Sequence, residues 1–136
     1  MAAFRDNLFF CSNFCPSPII YKGVTYPTAE HFYQACKCSD IRNAMEIIRA
    51  NTPGKAKRLG AKVHLRPDWN EVKLDVMRHA VKLKFEQNPT LMDLLRKTGK
   101  QYLCEENEWG DRFWGKCGGV GENWLGRILM ELRDTK

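Results

Sequence analysis

No stretch of the 136 residues approaches the ~18 consecutive apolar positions that a membrane-spanning helix needs, and Met1-Ala2-Ala3-Phe4-Arg5-Asp6-Asn7 lacks the apolar centre of a secretion signal. A cytoplasmic protein without a membrane partner is therefore expected. Histidine is scarce, and His31, His64 and His79 stand apart with no partner at ligand spacing. The six cysteines, at positions 11, 15, 36, 38, 104 and 117, form neither paired zinc knuckles nor a C-x-x-C redox pair. Reduced thiols and no bound metal follow as expectations. Acidic residues are in deficit, sixteen against twenty-two Lys and Arg. The resulting +6 suits a polyanionic partner such as a nucleotide diphosphate or a nucleic acid, although solubility alone also explains such a charge.

What is present is ordinary globular composition: 43% hydrophobic and 28% charged residues argue against extended disorder. A chain of this length buries roughly two thirds of its unfolded surface, enough for one core, so a single domain over residues 1–136 is expected. Asn7-Leu8-Phe9-Phe10 reads as a short aromatic strand that dissolves into the loop Cys11-Ser12-Asn13-Phe14-Cys15-Pro16-Ser17-Pro18. Ile19-Ile20-Tyr21 and Val24-Thr25-Tyr26 flank Lys22-Gly23 as the arms of a two-residue hairpin. Thr28, Asp40, Thr52-Pro53, Asp68 and Asn88-Pro89 are start signals for successive helices, the longest running from Trp69 to about Gln87. Gln101-Tyr102-Leu103-Cys104-Glu105 alternates as a strand, and Trp124 onward forms a last helix. The fold class predicted is α+β: mostly helical, with a small antiparallel sheet drawn from the N-terminal strands and 101–105, under five or six helices.

The helix after Thr28 carries the chemistry. Glu30, Tyr33, Gln34 and Lys37 fall at i, i+3, i+4 and i+7 and share one polar stripe, with Phe32, Ala35 and Cys36 opposite. Tyr and Gln suit a polar ligand better than a merely solvated face. Downstream, Lys55, Lys57, Arg58 and Lys62 cluster near a helix start, where a phosphate would be attracted, or where a plain solvated basic face would lie. Gly110 to Lys116 fits G-x4-G-K, but Cys117 stands where Ser or Thr must bind magnesium and Phe113-Trp114 crowd the cradle, so a P-loop is rejected.

Glu30-His31-Phe32-Tyr33-Gln34-Ala35-Cys36-Lys37 resembles the EHYYQAxK signature of the NADAR (YbiA-like) family of N-glycosidases. Four further matches stand in register over the chain. They are Phe9 to Pro18, with Cys11 and Cys15 departing from the family's usual Leu and Tyr; Ala56-Lys57-Arg58-Leu59-Gly60; the series Trp69, Val76-Met77, Lys84-Phe85, Thr98-Gly99 and Leu103-x-Glu105; and the closing Asp111, Trp114-Gly115, Gly121, Asn123, Leu125-Gly126, Leu129-Met130 and Arg133.

The resemblance implies cleavage of an N-glycosidic bond to a ribose, which needs charge stabilisation at the anomeric carbon, a proton for the leaving base and a nucleophile. Glu30, Glu105 and Asp111 are the carboxylates in motif positions. Lys37 occupies the position of the family's lysine, and partial burial would lower its pKa and make it a nucleophile able to form a Schiff base with the opened sugar; a salt bridge to Glu30 or Asp40 is the plainer alternative. Asn13, Tyr33, Gln34, Trp69, Trp114, Gly115 and Asn123 are the candidate substrate contacts, with a tryptophan as stacking surface and Asn13 either holding the ribose or base or closing a turn. The site is expected between the signature helix and the 111–123 loop. No cofactor is expected. Removal of ADP-ribose from guanine in nucleic acid or nucleotides is the leading substrate, followed by early phosphoribosyl intermediates of the riboflavin pathway and by a non-catalytic binder of NAD-derived nucleotides.

Overall fold

The computed structural model describes residues 4–135 and contains six α-helices, one 3-10 helix and two short β-ladders among them. Two compact units divide the chain, residues 16–87 and residues 4–15 together with 88–135.

In the 16–87 unit, β1 (Ile19–Tyr21) and β2 (Val24–Tyr26) pair antiparallel with Ile20 opposite Thr25. Lys22 and Gly23 both take positive φ, 51° and 81°, the geometry of the tight turn whose twist matches a hairpin. Thr28 then caps α1 (Ala29–Cys36) by accepting from the His31 backbone N–H at 3.1 Å. Its hydroxyl also meets His31 Nδ1 at 2.8 Å, while His31 Nε2 donates to the Ala50 carbonyl at 3.0 Å. The buried imidazole is therefore satisfied at both nitrogens, and its pKa is lowered by burial. Asp40 caps α2 (Ile41–Ile48), and Thr52 with Pro53 at the first position opens α3 (Pro53–Gly60). At α4 (Trp69–Gln87) the Asp68 carbonyl accepts the first helical bonds, while its carboxylate takes two bonds from the Arg66 guanidinium. Phe32 packs with Ile19, Ala29 and Ala80 into one apolar cluster, and Ala35 with Ile47, Ala50 and Ala56 into a second. Consequently α1 lies in apolar surroundings along its whole length, and every residue from Ala29 to Ala35 is buried.

The other unit opens on the 3-10 helix Asp6–Cys11, where a strand was expected from Asn7-Leu8-Phe9-Phe10. The backbone closes on itself instead of pairing with a neighbour, by Leu8 N–H to the Arg5 carbonyl and Ser12 N–H to the Phe9 carbonyl, both at 2.9 Å. After α5 (Pro89–Lys97), closed by Gly99 at φ 61°, residues 101–105 belong to no strand. The expected alternation is not kept, since Gln101 and Tyr102 are both exposed and only Leu103 of the five is buried. A neighbouring strand is missing too: the Leu103 N–H points to the Met130 sulfur and the Glu105 N–H to the Asn123 side chain. The ladder forms just beyond, where β3 (Glu106–Asn107) pairs parallel with β4 (Lys116–Cys117), and α6 (Trp124–Asp134) follows. The antiparallel sheet is thus the β1–β2 hairpin alone. Lys116 and Cys117 being strand also removes the helix that a P-loop would need at that place.

Candidate active site

Glu30 is 7% exposed, and Gln34, one turn on, donates from Nε2 to Glu30 Oε2 at 2.6 Å. The other end of that amide, Oε1, is buried without a hydrogen-bond donor and packs on Gly60 of α3. An unsatisfied buried acceptor costs about 1–3 kcal/mol, a cost that fits an amide whose task is to hold the carboxylate. A Cβ at Gly60 would overlap Gln34 Oε1. Gly60→Ala should therefore cost only about 1–2 kcal/mol, because the side chain can swing, but should displace the amide from Glu30. The check is a thermal melt beside a rate measurement, with the loss of rate expected to exceed the loss of stability.

Lys37 is the residue that closes α1 and is half-buried. Its carbonyl accepts from the Arg66 N–H at 2.9 Å, and Cys38 bridges Leu65, so the backbone under the lysine is tied to a second segment. Its ammonium stands 5.8 Å from the Tyr33 ring centre, and Tyr33 leans on Trp69 with centroids 5.2 Å apart. Burial lowers the Lys37 pKa from its ordinary value; Glu30 and Cys38 oppose that shift and Lys57 adds to it. The neighbouring thiols run the other way, Cys36 being pushed up to about 11 and Cys38 raised, both chiefly by burial. At neutral pH they are protonated and poor nucleophiles. Lys37 is thus the group at this end of α1 whose environment favours the reactive form. The stripe Glu30, Tyr33, Gln34, Lys37 stays together as expected, enclosed rather than solvated. Trp69, expected as a stacking surface, is buried and supports Tyr33.

The remaining predicted residues lie in the other unit. Asn13 is buried in the turn after the 3-10 helix, and Trp114 is half-buried with its ring edge-on to Phe113 at 4.7 Å. Asp111 Oδ1 accepts from the backbone N–H groups of Phe113 and Trp114 at 3.0 and 2.9 Å, and Asn107 grips the Asp111 backbone at both N–H and carbonyl. Glu105 is pinned through its backbone: its N–H donates to Asn123 Oδ1 at 3.0 Å, and its carbonyl accepts from Lys116 N–H at 2.8 Å. The carbonyl lies so close to Gly115 that a Cβ there would collide with it. Asn123 spends both ends of its amide on the 102–105 segment. A cleft of about 240 Å³ beside β3 and β4 is lined by Arg5, Glu106, Glu108 and Lys116.

Sequence reading gave no role to Lys84, which is 1% exposed with its ammonium 5.1 Å from the Phe85 ring centre. The signal was present: Met77, Ala80, Val81, Lys84 and Phe85 form one buried helical stripe, where a lysine is the odd member.

The NADAR domain model matches residues 4–135. The chain belongs to the NADAR family. NADAR relatives include the N-glycosidase YbiA of Escherichia coli (strain K12), 44% identical over 126 residues that cover 90% of this chain and 78% of that one. An N-glycosidase of Nostoc punctiforme is 40% identical over 130 residues, covering 90% of this chain and 82% of that one. A riboflavin biosynthesis protein of Vibrio vulnificus is 40% identical over 132 residues, 95% of this chain but 36% of the relative. The NADAR fold is matched by the NMR structure of Escherichia coli YbiA, with a TM-score of 0.87, 42% identity and coverage of 98% of this chain and 81% of that chain. The mostly helical α+β architecture with its small antiparallel sheet is thus the family's. Among the described residues no group of three or more His, Cys, Asp or Glu could hold a metal ion, and no helix is long and apolar enough to cross a membrane.

Proposed function

We propose that this protein is an N-glycosidase that hydrolyses the bond between a ribose and a base, with Lys37 as nucleophile and ADP-ribosylated guanine, in nucleic acid or nucleotides, as substrate. The observation that carries the reading is a half-buried lysine with lowered proton affinity, on the same helix as a carboxylate that a buried amide holds in place. Neutral Lys37 Nζ attacks the anomeric carbon, and the electrons of the broken C–N bond leave with the base, which takes up a proton from a carboxylic acid. The lysine nitrogen gives up a proton, the sugar ring opens, and a Schiff base joins C1 to Nζ. Water then adds to C1 and releases the sugar with the amine restored. Glu30 is the acid/base or ribose-orienting group of this centre, and Tyr33 and Gln34 line it. Glu105 and Asp111 are proposed as further acid/base carboxylates, Asp111 also shaping its own turn. Trp114 is a stacking surface, Asn13 and Gly115 are substrate contacts, and Asn123 acts by fixing the Glu105 backbone. The action is placed in the cytoplasm and uses no cofactor.

The names of the relatives support glycosidic cleavage, and two of them, from Vibrio vulnificus and Zea mays, are riboflavin biosynthesis proteins, which favours a phosphoribosyl intermediate of that pathway as the second reading. Mass spectrometry of an oligonucleotide carrying ADP-ribosylated guanine decides between them. Release of ADP-ribose by the wild type is the expected result. An unchanged oligonucleotide, with turnover of the phosphoribosyl intermediate instead, would transfer the reading to the second substrate.

A further inference from the structure

Residues 16–87 hold thirteen Lys and Arg against seven Asp and Glu, while the rest of the chain carries nine of each sign, so the whole +6 resides in this stretch. The excess is concentrated further, because residues 47–67 contain six cations and no carboxylate. Three of the six, Lys55, Arg58 and Lys62, stand at i, i+3 and i+7 on α3 and the turn that follows it, where Lys62 N–H donates to the Leu59 carbonyl at 3.0 Å. That spacing puts them in one stripe, on the side of α3 away from Ala56 and Gly60, which pack against Ala35 and Gln34 of α1. All three are exposed, and among the described residues none of their side chains makes an ion pair or a hydrogen bond. The carboxylates that bound the run are Glu46 and Asp68, and Asp68 is taken by Arg66 at 2.6 Å. A face kept only for solubility interleaves the two signs, whereas like charges on one helix side repel and weaken the helix. An extended anion laid along the stripe removes that repulsion.

We propose that Lys55, Arg58 and Lys62 form a docking surface for the phosphodiester backbone of a single nucleic-acid strand, held there while its modified base is processed at Lys37. The assignment rests on the reading of the substrate as guanine within nucleic acid. Length and charge both fit. Seven residues of helix rise about 10 Å, and a stacked strand carries one phosphate per ~3.4 Å, so the stripe meets about three phosphates with three cations. Contacts of this kind go to phosphate oxygens and not to base edges, so the strand is held without regard to its sequence. The stripe also leads toward Lys37. Lys62 lies four residues before Arg66, whose N–H bonds the Lys37 carbonyl at 2.9 Å, so at most about 14 Å of chain separates the end of the stripe from that bond. A single strand is the occupant because a base stacked and paired in a duplex is closed to an attacking amine.

Fluorescence anisotropy of a short, labelled, unmodified single-stranded oligonucleotide over a range of salt concentrations tests the assignment. Wild type is compared with Lys55→Gln/Arg58→Gln/Lys62→Gln, with Lys55→Arg/Lys62→Arg, and with Arg96→Gln/Lys97→Gln/Lys100→Gln, which removes as much charge from the end of α5 and just beyond. Each phosphate contact on a single strand contributes about 0.7 to the slope of log affinity against log salt, so the first triple variant should flatten the wild-type slope by about 2 and weaken low-salt binding about tenfold or more. The charge-keeping variant should hold the wild-type slope, and the α5 triple should stay close to wild type in slope and affinity. A wild type without salt-dependent binding, an unchanged slope in the first triple, or an equal loss in the α5 triple overturns the assignment. Cleavage of the modified guanine is followed separately on the same preparations. Binding that depends on the stripe without any cleavage would support the surface and count against the glycosidase reading alone, whereas cleavage without such binding would overturn the surface and leave that reading standing.

Discussion

Lys37→Met is expected to lower turnover by about 10³-fold or more while leaving the melting temperature nearly unchanged, because it removes the nucleophile and keeps most of the apolar stem. Lys37 is half-buried at the end of α1, and its backbone is held by Arg66 through a bond the substitution does not touch. Two further readouts separate a nucleophile from a merely electrostatic lysine. Borohydride added during turnover reduces a Schiff base to a stable secondary amine, so wild type should gain the mass of the sugar on the peptide containing Lys37, and Lys37→Met should gain none. The pH dependence gives the other. Because burial lowers the Lys37 pKa below its ordinary 10.5, the reactive amine accumulates as pH rises, and kcat should climb through an apparent pKa under that value. Glu30, Cys38 and Lys57 are the groups that act on this titration. Glu30 holds the proton on, so Glu30→Gln should move the rising limb to lower pH even as the plateau rate falls. A plateau that falls with no movement of the limb would remove Glu30 from contact with the lysine, and turnover retained in Lys37→Met would remove Lys37 from the chemistry.

The parts of this molecule that are legible in sequence are those decided by a few adjacent residues. Thr28, Asp40 and Thr52-Pro53 cap the helices they announce, since a cap is a bond across two or three residues. Lys22-Gly23 makes its hairpin for the same reason. The 101–105 segment reads as a strand and still forms none, because pairing needs a partner that sequence does not name, and Asn123 and Met130 take that place. The stripe from Glu30 to Lys37 was readable by period, but its enclosure was not, since that depends on apolar residues of α2, α3 and α4 closing around α1. Lys84 shows the same limit: it is a lysine inside an apolar stripe, and only packing gives it a particular neighbour. Trp69 was ambiguous from its position in a first turn, and its contact with Tyr33 is one that only packing could show.

Asn123→Ala is expected to destabilise the protein by about 3 kcal/mol or more, the largest stability effect anticipated for a single side chain here. Two costs combine. Asn123 is 1% exposed, and its amide accepts from the Glu105 N–H and donates to the Leu103 carbonyl at 2.9 Å, so truncation removes one buried and one partly buried bond to the backbone. The residue also sits at φ 54°, ψ 44° at the start of α6, a left-handed conformation that Asn tolerates and Ala does not, worth roughly 1–2 kcal/mol. Asn123→Gly separates the two, because glycine takes that conformation freely but restores neither bond. Its loss should therefore be smaller than that of Asn123→Ala by about 1 kcal/mol and still substantial. Denaturant melts of the three proteins check the order. The functional consequence follows the same bonds: without Asn123 Oδ1 the Glu105 N–H loses its acceptor, while the Glu105 carbonyl keeps the bond from Lys116 N–H beside Gly115. Both variants should then lose kcat at temperatures where they remain folded, whereas a residue that served stability alone would leave the rate of the folded fraction unchanged.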